Sequence, residues 1–345
     1  VENFVSATEH AITSALNLLR QGDGAGAEAA LAALDASGDP RVLHALGTIR
    51  MRQRRFADAE NLFVRARAAA PQQPQIVLAL GRALAEQGRD AEAAAAFQAA
   101  ITLNPALQDA HYELGSALQR LGKLDEAERV FRDLLKLAPA HAPARLALGG
   151  VLIEAGRPAE AESVLRAALT GPAPPRLAAM LHTNLGLALR HQRRDDEALA
   201  QYDLAAALEP SLPGLDIHRA EALQNLKRYD EALATYAGAI AARPEDVDAH
   251  RLYNDLLYRL KRGEYLTSYA SAPPTRALLL GKAQFLAEEK RGEEALAVYR
   301  ELLSRVSNDP HASLGVAESL MLLGRAPEAV NAYDGLLARH GGNAR

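Results

Sequence analysis

Residues 74–107 and 108–141 repeat one another at a spacing of 34. Laid one under the other, they set Leu80-Gly81 over Leu114-Gly115, Gly88 over Gly122, Ala93 over Ala127, Phe97 over Phe131 and Pro105 over Pro139. A period of that length kept through all these markers restricts the chain to architectures built from one small stacked unit. Within each block the residue types describe a helical hairpin. Gly81 or Gly115 lets the first helix approach its neighbour, and Gly88 or Gly122 stands where the chain turns. Ala93 or Ala127 keeps the second helix close, the phenylalanine fills the gap beyond it, and the proline closes the unit.

Carried outward, the register predicts about ten hairpins. Residues 8–246 form a regular array of seven pairs, beginning with a unit at 8–39 that turns at Gly22 and carries Ala27 and Leu31 in its second helix. The unit at 40–73 holds Leu46-Gly47, Ala59, Phe63 and Pro71. After the central pair, residues 142–178 carry Gly149, Gly156, Ala161 and Leu165, then a connector rich in proline (Pro172, Pro174, Pro175) that lengthens a loop. The units at 179–212 and 213–246 follow, with Ala198 and Tyr202, then Ala232 and Tyr236. Residues 247–275 are irregular: a first helix at 248–262 is followed by a second cut down to Glu264–Ala270 and stopped by Pro273-Pro274. Residues 276–343 add two more pairs, with Ala295 and Tyr299, then Ala329 and Tyr333.

The 17 prolines test the period independently, since one inside a helix costs about 3 kcal/mol and one in the first turn costs little. All fall at or beside an expected boundary: Pro40, Pro74, Pro213 and Pro310 open a first helix, and Pro143, Pro158 and Pro327 lie in a first turn.

Composition agrees with this scheme. Hydrophobic residues make up 49% of the chain but aromatics only 5%, much of the apolar content being alanine, which suits close helix contacts. Cysteine is absent, which excludes a disulfide framework, a thiolate metal site and a cysteine nucleophile. A net charge of −4 argues against nucleic acid as the main partner. No apolar run reaches membrane-spanning length and no signal peptide is visible, so a cytoplasmic setting is expected. The chain begins without Met and stops just after a repeat, as a processed product or excised piece does.

The glycine, alanine, aromatic and proline markers of these blocks resemble the tetratricopeptide repeat, a family of stacked antiparallel helix pairs, although its usual tryptophan is missing here. The resemblance implies an all-α, right-handed superhelical solenoid whose concave wall is lined by the first helix of each pair. On this sequence it assigns a ligand groove to His44, Arg52, Leu78, Arg82, Glu86, Tyr112, Glu113, Arg120, Leu146 and Glu154. An alternative groove further along is formed by Asn184, His218, Arg251 and Asp255. The wall mixes apolar patches around Leu78, Tyr112 and Leu146 with charges of alternating sign, which suits a peptide with hydrophobic anchors and a few charges. The bland reading is that Arg52 with Glu86, and Arg120 with Glu154, satisfy one another across repeats, surface pairs worth about 0–1 kcal/mol. Neither the carboxylate clamp of chaperone-tail receptors nor the asparagine ladder of glycosyltransferase-linked arrays is matched, since only Asn184 falls at the ladder position.

No catalytic, cofactor or metal constellation accompanies the repeats. The ten histidines are scattered without ligand spacing, and His111 and His250 near helix starts read as satisfied or half-exposed imidazoles. Gly22-Asp23-Gly24 and Gly149-Gly150 lack the context of a phosphate loop, and Asp195-Asp196-Glu197, Glu288-Glu289 and Glu293-Glu294 read as solvated or first-turn acids. The expected function is a non-catalytic scaffold whose groove holds a protein or peptide segment, or an adjacent domain of the same protein. The alternative is the N-terminal portion of a larger bacterial enzyme that orients substrate: residues 251–260, 265–274 and 278–286 resemble repeat regions ahead of oxygenase-like or sulfotransferase-like domains, whose own motifs are absent from this chain.

Overall fold

The computed structural model describes residues 2–263 and 266–340. Among them the regular structure is all helical, twenty α-helices and one short 3-10 turn. The chain divides after Arg194 into two compact units. The first contains α1 (Glu2–Arg20), α2 (Gly24–Ala32), the 3-10 turn Asp35–Ser37, α3 (Pro40–Arg52), α4 (Phe56–Ala69), α5 (Pro74–Ala85) and α6 (Asp90–Leu103). It continues through α7 (Gln108–Arg120), α8 (Leu124–Leu137), α9 (Ala142–Glu154), α10 (Pro158–Leu169) and α11 (Pro175–His191). The second contains α12 (Asp195–Leu208), α13 (Leu215–Asn225), α14 (Tyr229–Ala242), α15 (Val247–Arg259) and α16 (Thr267–Ser271). Its last helices are α17 (Arg276–Glu288), α18 (Gly292–Arg305), α19 (Pro310–Leu322) and α20 (Ala326–His340).

The hairpins close as the repeat markers dictate. Phe63, Phe97, Phe131 and Leu165 on second helices are fully buried against Gly47, Gly81, Gly115 and Gly149 on the first helices of their own pairs. Ala59, Ala93, Ala127 and Ala161 are equally buried, so each second helix lies close to its partner. Burying one phenylalanine this way contributes about 2–3 kcal/mol, and the repeat of the motif spreads a continuous core along the unit.

The turn inside each regular hairpin uses one left-handed residue. Gly88 takes φ 74°, and the following Arg89 N–H donates to the Leu84 carbonyl at 3.1 Å, satisfying the end of α5. Gly122 and Gly156 do the same, but Arg54, Arg193, Lys227, Lys261 and Lys290 hold the equivalent place with φ between 54° and 63°.

Four boundaries differ from the expected register. α1 begins at Glu2, well before residue 8, because its helical pattern continues upstream. α11 starts at Pro175, not residue 179: Pro174 is extended and Pro175 takes the first helical position, so the expected loop is partly helix. Pro213 does not open α13; Gly214 adopts φ 79° and the helix begins at Leu215. In the irregular unit the second helix is Thr267–Ser271, shorter than expected, and Glu264 and Tyr265 lie outside the described residues. That unit is held by Asn254, fully buried on α15, whose Nδ2 donates to the His250 carbonyl and to Ser268 Oγ, both at 2.6 Å. Its Oδ1 accepts from the Leu266 N–H, and Tyr269 stacks on His250 with ring centroids 5.1 Å apart.

Candidate ligand groove

In the first unit, α3, α5, α7, α9 and α11 each expose one face, and residues four apart share it. Two cavities run along these faces. The first, about 520 Å³, lies between α3 and α5 and reaches the start of α7. His44, Thr48, Met51 and Arg52 form one side, Leu78, Ala79 and Arg82 the other, and Asp109 the end. The second, about 360 Å³, is framed by Tyr112 and Gln119 of α7, Leu146, Gly150, Ile153 and Glu154 of α9, and Asn184 and Leu187 of α11.

Arg82 bridges α5 and α7: its Nε donates to Glu113 at 2.7 Å and its Nη2 to Asp109 at 3.0 Å. His44 packs its ring against Phe63, centroids 5.7 Å apart, and burial pushes its pKa below the ordinary histidine value, so it lines the cavity as a neutral ring. Tyr112 rests on Phe131 at 6.1 Å and His141 at 5.9 Å, and burial pushes its phenol up. The tyrosine therefore caps the core beneath and forms the wall above.

Three of the expected groove residues, Glu86, Glu113 and Arg120, line neither cavity, Glu113 being held by Arg82. Arg120 turns to the start of α6, where its Nε donates to Asp90 at 2.7 Å, and it lines neither cavity. Glu86 is exposed at the end of α5 and also lines neither. The expected pairing of Arg120 with Glu154 is replaced by Gln119, whose Nε2 donates to Glu154 at 2.5 Å. The reason is geometric: an acid in the first turn of the preceding second helix is within reach of Arg120. Arg52 and Glu86 make no ion pair among the described residues. Gln119 and Ile153, each one residue before a charged side chain, line the second cavity without a charge to mark them in the sequence.

The four residues of the alternative groove are divided between the two units. Asn184 lines the cavity of Tyr112 and Glu154 in the first unit. In the second unit His218 stacks on Tyr202, centroids 6.1 Å apart, with Nδ1 3.5 Å from Glu221. Arg251 faces Asp248 at 3.6 Å, and Asp255 is paired with Arg259 at 2.5 Å. A cavity of about 720 Å³ in that unit is lined by Arg243, Pro244, Glu245, Asp246 and Pro273 and includes none of these three. Another cavity in the first unit, about 1040 Å³, lies between Ile12 and Leu16 of α1 and Pro40 and His44 of α3 and has no counterpart among the repeat markers. It opens because α2 is short and the 3-10 turn and Gly38 replace the rest of a second helix. Among the described residues no group of three or more acidic or histidine side chains could hold a metal, and no helix is long and apolar enough to cross a membrane.

Comparison with known proteins agrees with this architecture. A tetratricopeptide repeat family model matches residues 44–107, 112–176 and 218–265, and a second model of the same description matches 286–345. The first alone takes in more than half of the chain, and the chain belongs to the tetratricopeptide repeat family. Among solved structures, a tetratricopeptide repeat protein of Parabacteroides merdae is 14% identical, with 91% of this chain and 99% of that one covered and a TM-score of 0.53. Human IFIT1, solved as a dimer with PPP-AAAA, is also 14% identical, covering 94% and 88%, with a TM-score of 0.50. A thermophilic tetratricopeptide repeat protein of Thermus thermophilus is 26% identical over 54% of this chain and 99% of its own, with a TM-score of 0.44. At these identities the likeness of the first two is one of fold. No curated protein matches the sequence.

Proposed function

We propose that the first unit is a non-catalytic binding module that holds an extended segment of a partner protein along the α3–α11 wall. One observation carries this reading: two cavities succeed one another on the same face, each with an apolar anchor surface beside polar groups. Leu78 and Ala79 floor the first, and Tyr112 and Leu146 the second. Arg52 and Asn184 line these cavities and make no side-chain hydrogen bond among the described residues, so they are available to a ligand. An aromatic anchor held by packing and flanked by polar groups is the common composition of a binding hot spot, and a wall already ordered lowers the entropy cost of capture. Family membership supports the same coarse role, since tetratricopeptide repeat proteins are typically interaction scaffolds.

The test uses the intact chain with a photo-crosslinking residue at Ala79, at Gln119, or at Gln98, an exposed site on α6. A partner bound in the groove crosslinks at Ala79 and Gln119 and not at Gln98, and a folded Tyr112→Ala variant loses it. Crosslinking confined to Gln98, or full binding by the Tyr112→Ala chain, overturns the proposal.

A further inference from the structure

Only one charged residue, Glu154, is among those lining the second cavity of the first unit. It stands where the helix that carries it does not favour an acid. Glu154 is the last residue of α9, at the negative end of the helix. Bases hold that place on neighbouring first helices: α3, α7 and α11 end on Arg52, Arg120 and His191. Glu86, just past α5, is a similar acid but lines neither cavity.

No cation among the described residues pairs with Glu154. Arg120, one repeat earlier in the same register, is held by Asp90 at 2.7 Å. One carboxylate oxygen of Glu154 accepts from Gln119 Nε2, a neutral donor that orients the acid without cancelling its charge. The other oxygen accepts no hydrogen bond among the described residues. Around the carboxylate, Leu146, Ile153, Met180 and Leu187 supply aliphatic surface and Tyr112 an aromatic ring. A long cationic side chain suits this combination. Its methylene stem covers the aliphatic surface, its head bonds the carboxylate, and an aromatic face attracts a cation as well. An acidic side chain is repelled there, and a purely apolar one desolvates the carboxylate without a partner.

We infer that the second cavity is a specificity pocket for an arginine or lysine of the bound segment, selected by Glu154. This rests on the groove proposed above and adds the chemistry of the partner at one position.

The probe is a phage-displayed library of random dodecapeptides selected on the intact chain. Retained peptides are synthesised with a fluorescein label and titrated by fluorescence anisotropy. Seating in the second cavity is read from Gly150→Leu, which fills it, since a Cβ at Gly150 meets only Gln119 and Asn184 at ordinary contact distances. Peptides that lose binding to this variant are expected to share an arginine or lysine. Their affinity falls by about threefold to tenfold in Glu154→Gln and further in Glu154→Lys. Replacing the peptide's base with glutamate restores binding to the Glu154→Lys chain and not to the parent. Added salt weakens the parent complex and barely affects that of Glu154→Gln. Glu86→Gln removes the same charge from an exposed acid outside both cavities and leaves affinity as it was, which separates the pocket from the chain's net charge of −4. If peptides seated in this cavity share no base, or respond alike to Glu154→Gln and Glu86→Gln, the inference is overturned and the groove stands. If no retained peptide responds to Gly150→Leu, the second cavity holds no segment, and the groove reading over α7–α11 falls together with this one.

Discussion

Phe131 lies so close under Gly115 that a Cβ placed on the glycine would stand 2.7 Å from the ring. Any side chain at residue 115 must displace a fully buried aromatic. Gly115→Ala is therefore expected to destabilise by about 1–3 kcal/mol through overpacking, even though alanine is the better helix former. Phe131→Ala removes the ring and leaves a cavity, at about 3–5 kcal/mol. Urea unfolding with hydrogen exchange checks both. The loss should concentrate in α7, α8 and their neighbours, because stacked repeats couple to nearest neighbours, and an even loss of protection from α2 to α20 would contradict it.

That contact also explains how much could be read without coordinates. Glycine, alanine and phenylalanine at fixed spacing are consequences of two helices touching, so the period, the hairpins and the buried faces were legible. Where a boundary depends on one backbone torsion it was not: Gly214 at φ 79° delays α13 past Pro213, and Pro175 starts α11 early. That Leu78, Tyr112 and Leu146 line cavities on the first-helix faces was legible, because it follows from helix phase. The partner of Arg120 was not legible, because the choice between Asp90 and Glu154 depends on how far a long side chain reaches in three dimensions. The cavity beside α1 was invisible because it comes from a short second helix, an absence that carries no residue signature.

The turn residues yield a stabilising change. Lys227 holds φ 60° where Gly88, Gly122 and Gly156 stand in the regular hairpins. A side chain in that conformation costs roughly 1 kcal/mol or more relative to glycine, partly offset by the freedom glycine adds to the unfolded chain. Lys227→Gly is expected to raise stability by up to about 1 kcal/mol, read as a higher urea midpoint with an unchanged slope. A lower midpoint would mean that the lysine makes compensating contacts.

His250 makes the second unit sensitive to acid. The ring is fully buried; Nε2 donates to the Pro244 carbonyl at 3.1 Å, and Nδ1 has no hydrogen-bond partner. Burial pushes its pKa below the ordinary 6.5, outweighing the Pro244 carbonyl and the Asp246 charge. As pH falls through 6.5 the unfolded chain takes up a proton that the folded ring refuses, so stability is lost from there downward until the folded pKa is reached. The slope is at most about 1.4 kcal/mol per pH unit for one proton. Urea midpoints at about pH 7.5 and about pH 5.5, with exchange protection read on α15 and α17 separately from the first unit and its own neutral His44, measure it. His250→Gln, which keeps a donor for Pro244, should flatten the dependence; an equally steep fall in the variant would assign the effect to other groups.

Gly150 offers a way to close the groove without disturbing the fold. It faces the second cavity from α9, and a Cβ there would meet only Gln119 at 3.7 Å and Asn184 at 3.9 Å, ordinary contact distances. This separates it from its neighbour Gly149, where a Cβ would lie 2.6 Å from buried Leu165. Replacing Gly150 with leucine removes a helix-interior glycine, worth up to about 1 kcal/mol of added stability, and projects the new side chain between Tyr112 and Asn184. A ligand seated on Tyr112 and Leu146 then loses its place, and affinity should fall by about tenfold or more while the unfolding midpoint holds or rises. Tyr112→Ala makes the complementary change, removing the anchor and exposing Phe131, so it should lower both affinity and stability. If Gly150→Leu binds the partner as tightly as the parent chain while Tyr112→Ala fails, the tyrosine acts through the core and the ligand does not occupy this part of the wall.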